Sequence, residues 1–164
     1  TIISFLLTIV FSLISELISA TSSVIPSLII VLILIIINIL FDMIATAMAA
    51  VEPAPFYAMS SKKVRGAKEV LFLIKNTEKV CSICGDVVGD ICGIVSGAAS
   101  SAIVFNILSS KANFTQLEMW VTVIFSAVVA CLTIGGKAVG KSLAIKNSKE
   151  IILMVGYVIS FFKK

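Results

Sequence analysis

Apolar residues run along this chain in long, almost unbroken stretches separated by short polar ones, with no alternation of strand and helix patterns. The longest stretch goes from Val24 to about Ala50, after a break at Thr21-Ser-Ser and with Pro26 suited to a first helical turn. At ~1.5 Å per residue such a helix reaches about 40 Å, enough to cross a bilayer with tilt. Two further stretches, about 80–108 and 117–139, also exceed the ~20 residues a spanning helix needs. Ile2 to Leu13 falls short of that length and predicts an extra N-terminal apolar helix within residues 1–20, docked in or on the membrane. Glu52-Pro-Ala-Pro55 ends the first span, and Ser109 to Gln116 forms a short polar loop before Trp120, placed as an interfacial anchor. Two segments, about 60–75 and 141–164, are amphipathic and basic and predict helices lying at the membrane surface.

Composition supports the same picture. The 164 residues are 59% hydrophobic and only 13% charged, and mean hydropathy is +1.15. A soluble domain of this size could not hide that much apolar surface. The expected fold class is therefore all-α integral membrane. It has three transmembrane helices, two cytoplasmic amphipathic helices and the extra N-terminal helix, with residues 24–164 as one membrane domain. Four cysteines lie in or beside apolar segments. Cys81-x-x-Cys84 lacks a second pair and the chain has no histidine, so they read as small buried hydrophobes rather than zinc ligands.

Basic residues orient the spans. Lys62, Lys63, Arg65, Lys68, Lys75 and Lys79 lie between spans one and two, and Lys111 alone between spans two and three. Lys137, Lys141, Lys146, Lys149, Lys163 and Lys164 mark the end of span three and the tail. The positive-inside rule then puts both amphipathic helices and the C-terminus in the cytoplasm of a multi-pass plasma-membrane protein, with the Lys111 loop outside. Asn113-Phe-Thr115 in that loop is a glycosylation triplet of the kind that arises by chance.

Two patterns carry candidate chemistry. Gly135-x-x-x-x-Gly140-Lys141-Ser142 matches a phosphate-binding loop as a string. Such a loop needs a strand before it and an acidic residue on a neighbouring strand. Neither exists here, so neither nucleotide nor nucleic acid is an expected partner and no enzymatic reaction or organic cofactor is expected. The second pattern is ionic. Asp42, Asp86, Asp90 and Lys137 sit within or at the ends of the spans, where charge is costly. Gly85, Gly89, Gly93 and Gly97 recur every four residues, a ridge that permits close helix packing. Asp86 and Asp90 form a second line beside it, and two such carboxylates repel unless a proton, cation or basic group joins them. Lys137 snorkelling to the interface beside neutral or paired aspartates is the bland alternative to a cation site.

Five sequence blocks then fall in order: Phe41-Asp-Met-Ile-Ala-Thr-Ala47, Lys62-Lys-Val-Arg-Gly-Ala-Lys68, Leu73-Ile-Lys-Asn-Thr77, Gly85-Asp-Val-Val-Gly-Asp-Ile91 and Gly136-Lys-Ala-Val-Gly-Lys-Ser-Leu-Ala144. Over roughly residues 28–152 they resemble the transmembrane domain of the CorB/CorC/cyclin-M family of magnesium and cobalt transporters. That family shows F-x-x-S-E-T-A, a basic stretch with G-A-K, L-x-x-N-P, G-N-N-L-V-N-I and G-E-x-x-P-K-S-L-A.

The resemblance implies a homodimer in the lipid bilayer, three spans per protomer, a basic cytoplasmic belt and one cation site per protomer, with Mg²⁺ as the transported ion. It also exposes departures at that site. Lys137 stands where the family has an acidic residue in span three, and Ala45 where it has one in span one. Asp86 and Asp90 occupy asparagine positions and Asp42 a serine position. Asp42, Asp86 and Asp90 are then the expected metal ligands, with Thr46 and Ser96 as auxiliary oxygens and Lys137 as modifier or internal counter-charge. A non-transporting scaffold, with Lys137 in place of the cation, is the competing expectation. The family's paired cytoplasmic regulatory (CBS) domains are not expected within residues 1–164.

Overall fold

A computed structural model describes residues 5–6, 8–10, 12–13, 24–108 and 115–162, and among them there is no strand. Helix α1 is Val24–Ala50. The short helices α2 (Ala54–Ser61) and α3 (Ala67–Lys75) follow. Next come α4 (Thr77–Cys81), a π-helical segment Ser82–Gly89 and α5 (Asp90–Leu108). The chain then forms α6 (Thr115–Lys146) and α7 (Ser148–Phe162). Ile25–Ala50, Thr77–Ser101 and Trp120–Lys146 are each long and apolar enough to cross a membrane. The polar loop at 109–114, with Lys111 and Asn113, lies outside the described residues, as do most of residues 1–20, whose described positions are helical.

Three boundaries differ from the sequence reading. Span two begins at Thr77 and is π-helical from Ser82 to Gly89, so half of the expected glycine ridge lies on a widened helix. Its glycines meet different surroundings: Gly89 is buried and Gly97 exposed. Span three does not end near residue 139; α6 runs unbroken for 32 residues to Lys146. Glycine costs a helix only about 1 kcal/mol per residue, too little to stop one through Gly135, Gly136 and Gly140. The helix gives way at Asn147, whose carbonyl accepts the N–H groups of Glu150 and Ile151 at 3.1 Å and starts α7. The amphipathic segment expected over 60–75 is likewise two helices. Between them Lys63 (φ 56°) and Gly66 (φ 82°) turn the chain through left-handed backbone.

The chain divides into two compact units, Thr1–Ile39 with Val87–Gly136, and Leu40–Asp86 with Lys137–Lys164. In the first, Val31 and Ile35 of α1 pack on Ala99 and Ile103 of α5, with Ile39 and Val129 against them. Along the same helix Ile25, Ile29, Leu32, Ile33 and Ile36 are exposed, which in a bilayer is the lipid-facing stripe. Gly136 lies so close to the Ile39 side chain that a Cβ there would collide with it.

In the second unit Ala47, Met48, Phe56, Val70, Ala144 and Ile152 form the core. Its tightest point is Gly66 against Gly156, where α3 begins beside the middle of α7. A Cβ on Gly156 would lie 2.7 Å from the Gly66 carbonyl oxygen and would also run into Val70. Gly66 needs to be glycine twice over, for its positive φ and because its own Cβ would sit 3.0 Å from Gly156 backbone. The Val70 side chain can rotate away, but the carbonyl cannot. Gly156→Ala therefore forces α3 and α7 apart and costs about 1–3 kcal/mol, read as a lowered unfolding midpoint of the purified protein in detergent. Ala58→Gly, on an exposed face of α2, lowers it by less.

Candidate cation site

The acidic residue best placed to act is Asp42, in the second half of α1. Its side chain is 14% exposed, and its Oδ2 lies 3.5 Å from the Nζ of Lys141 on α6. That oxygen is buried and accepts no hydrogen bond, so the contact with lysine is purely ionic. One turn along, Thr46 donates its hydroxyl to the Asp42 main-chain carbonyl at 2.8 Å. The hydroxyl proton is spent on the helix, leaving the Thr46 oxygen with lone pairs only. Ala45, where the family pattern has a carboxylate, instead accepts the Cys81 thiol at 3.3 Å and lies opposite Gly85.

The ion-pair partner of Asp42 is Lys141, one turn beyond Lys137 along α6. Lys137 is half-buried and has no ion-pair partner among the described residues. Lys141 belongs to the string that imitates a phosphate loop. Gly135 to Ser142 is helical throughout, so its N–H groups point along the helix rather than converge on an anion.

Asp86 lies in the π-helical segment and Asp90 opens α5; both are exposed on the protomer. Among the described residues, no three or more of His, Cys, Asp and Glu gather closely enough to hold a metal ion. A site built on carboxylates alone is not assembled within the described protomer, and further oxygens would have to be neutral ones or water.

Neutral oxygens do collect in the first unit. Ser96 and Ser100 of α5, with Ser126 and Thr133 of α6, line a cavity of about 230 Å³ beside Gly93 and Gly97. Ser96 donates to the Gly93 carbonyl (3.0 Å), Ser100 to that of Ser96 (2.7 Å) and Thr133 to that of Val129 (2.8 Å). With those protons committed, the three oxygens keep only lone pairs, and the surface that the cavity presents is mostly apolar. The walls between them, Val129, Ala130 and Ile134, are apolar.

Sequence reasoning missed four of these positions. Asn38 is 1% exposed and its Oδ1 has no partner; it stands alone in the Ile-rich half of α1, one turn before Asp42. The series 38, 42, 46 was legible as a polar line at helical spacing. Lys141 was set aside with the phosphate-loop string, while Ser126 and Thr133 carried no local signal.

A family profile, the cyclin M transmembrane N-terminal domain, matches residues 28–164. The chain belongs to that family. No curated protein and no solved structure was found to match it. The cyclin M match makes this a multi-pass membrane domain of a family associated with magnesium transport. The motif blocks have definite places in the fold. The first cyclin M block carries Asp42 and Thr46, and the second supplies the Gly66 turn. The fourth is the change from π- to α-helix, and the last brings Gly136 to Ile39 and Lys141 to Asp42.

A double-mutant cycle tests the ion pair. Asp42→Asn and Lys141→Gln should show a coupling of about 1 kcal/mol in unfolding free energy. Asp42→Asn with Lys137→Gln should be additive.

Proposed function

We propose that this cyclin M domain is an ion-transport unit that binds and moves a hard divalent cation, Mg²⁺ first among them. The observation that carries the reading is Asp42: a buried carboxylate oxygen without a hydrogen bond, in the second half of a membrane span. Such a group is costly in a membrane unless a cation or basic side chain compensates it. Thr46 adds an oxygen beside it, and Ser96 adds one in the hydroxyl-lined cavity. Mg²⁺ keeps several of its waters, so neutral oxygens and one carboxylate per region are a sufficient lining for a hydrated ion.

The working unit in this reading is a homodimer. Asp86 and Asp90 are exposed on the protomer in a segment that crosses the membrane. Carboxylates there cannot face hydrocarbon, and a second copy, a cation or a water-filled cleft must meet them. Lys137 acts as a modifier near the cytoplasmic end. The basic residues put α2, α3 and α7 on the cytoplasmic surface of the plasma membrane.

One observation favours a second reading. Lys141 already lies against Asp42, so in this reading the domain carries its own cation, as a scaffold would. Thermal unfolding in detergent separates the two. In the transport reading Mg²⁺ raises the midpoint, by an amount corresponding to about 2.7 kcal/mol at a hundredfold excess over Kd. Asp42→Asn abolishes that gain, Asp86→Asn weakens it, and Lys141→Gln lowers the Mg²⁺ concentration needed. If Mg²⁺ protects neither the unaltered protein nor Lys141→Gln, the ligand role is lost and the scaffold stands.

A further inference from the structure

Helices α3 and α7 pack on one another through Gly66, Val70 and Gly156, yet they leave a groove of about 300 Å³ on the second unit's surface. Lys68, Glu69, Phe72 and Leu73 of α3 line it with Ile159 of α7. Its volume is at the lower end of small-molecule clefts. Phe72 is 68% exposed, too large an apolar group to leave facing water at a membrane surface. Lys68 is also exposed and stands one turn before Phe72 on the same helix, so a positive charge and an aromatic ring lie side by side along the groove. Glu69 shares the lining, but no ion pair joins it to Lys68. Among the described residues the ammonium has no ion-pair partner. Between residues 62 and 79 there are six basic and two acidic residues, which leaves the surroundings of the groove strongly positive.

We propose that this groove is a binding site for an anionic phospholipid. The headgroup phosphate pairs with Lys68 while the first part of an acyl chain lies against Phe72, Leu73 and Ile159. The chemistry is specific in two ways. A soluble phosphate would use the lysine but gain nothing from the three apolar side chains. A zwitterionic lipid would use the apolar wall, but its own cationic group would offset the pairing with lysine. The proposal rests on the reading above that α3 and α7 lie at the membrane surface. It goes further by assigning a particular groove and a lipid charge class.

The test uses the full chain reconstituted in vesicles. The protein has a single tryptophan, Trp120, so Phe72→Trp in a Trp120→Phe background places one fluorophore in the groove. Quenching by brominated phosphatidylglycerol is compared with quenching by brominated phosphatidylcholine. Val123→Trp in the same background, on an exposed face of α6, reports ordinary lipid contact. At position 72 the anionic lipid should be preferred by about fivefold, the strength of one lysine at a membrane surface. Lys68→Gln should remove that preference, and position 123 should show none. Equal quenching by both lipids at position 72 would overturn the lipid site and leave the surface placement intact. Absence of quenching by either lipid at 72, with normal quenching at 123, would overturn both. A preference that persists in Lys68→Gln would overturn the role of Lys68 and with it the site as assigned.

Discussion

The hydrocarbon of a bilayer offers no partner to a hydrogen-bonding group, and much of this structure follows from that single deprivation. Helices satisfy the main chain within each span. Side-chain hydroxyls submit to the same demand: Thr46, Ser96, Ser100, Ser101 and Thr133 each donate to a carbonyl three or four residues back on their own helix. Two buried side-chain oxygens among the described residues escape it, Oδ1 of Asn38 and Oδ2 of Asp42. They lie one turn apart on α1. Each is the group of its own unit that a cation, a proton or water would satisfy.

Satisfying the backbone does not by itself hold helices together, because lipid is as apolar as leucine and no hydrophobic gain comes from pairing. Close approach has to supply the attraction through dispersion, and the small residues mark where it happens. Gly85 lies against Ala45, Gly93 against the Asn38 amide and Gly136 against Ile39. Gly66 and Gly156 nearly touch through their backbones. The π-helical segment between Ser82 and Gly89 belongs to the same economy. It widens span two where Gly85 and Asp86 sit, and such interruptions are commonly associated with functional sites.

Charge follows the same geometry. Two lysines four residues apart on α6 have different fates. Lys141 meets the buried carboxylate of Asp42, while Lys137 has no such partner among the described residues. Outside the spans, the abundance of lysine and arginine beside the apolar faces of α3 and α7 produces surfaces that are greasy and positive at once. That combination matches the headgroup region of an anionic membrane better than it matches water.

Hydropathy and residue spacing alone determined the three spans, the amphipathic segments and the costly carboxylate at Asp42, because long apolar runs and the charges that interrupt them are local properties of a chain. The cyclin M resemblance was legible for the same reason, its blocks being short and contiguous. Helix ends were less legible. Span three, read as ending near residue 139, runs on through Gly140, because a glycine penalty of about 1 kcal/mol is easily overcome once packing rewards the missing side chain, as Gly136 does at Ile39. Only tertiary structure decided which lysine answers Asp42 and that Asn38 is buried. It also decided that the serines and threonine of α5 and α6 line a common cavity. Each depends on which faces of separate helices meet, and at one turn's spacing a periodic sequence offers several lysines and hydroxyls equally well. The meeting of Asp42 with Lys141 is such a choice, made by two helices that are nearly a hundred residues apart in sequence.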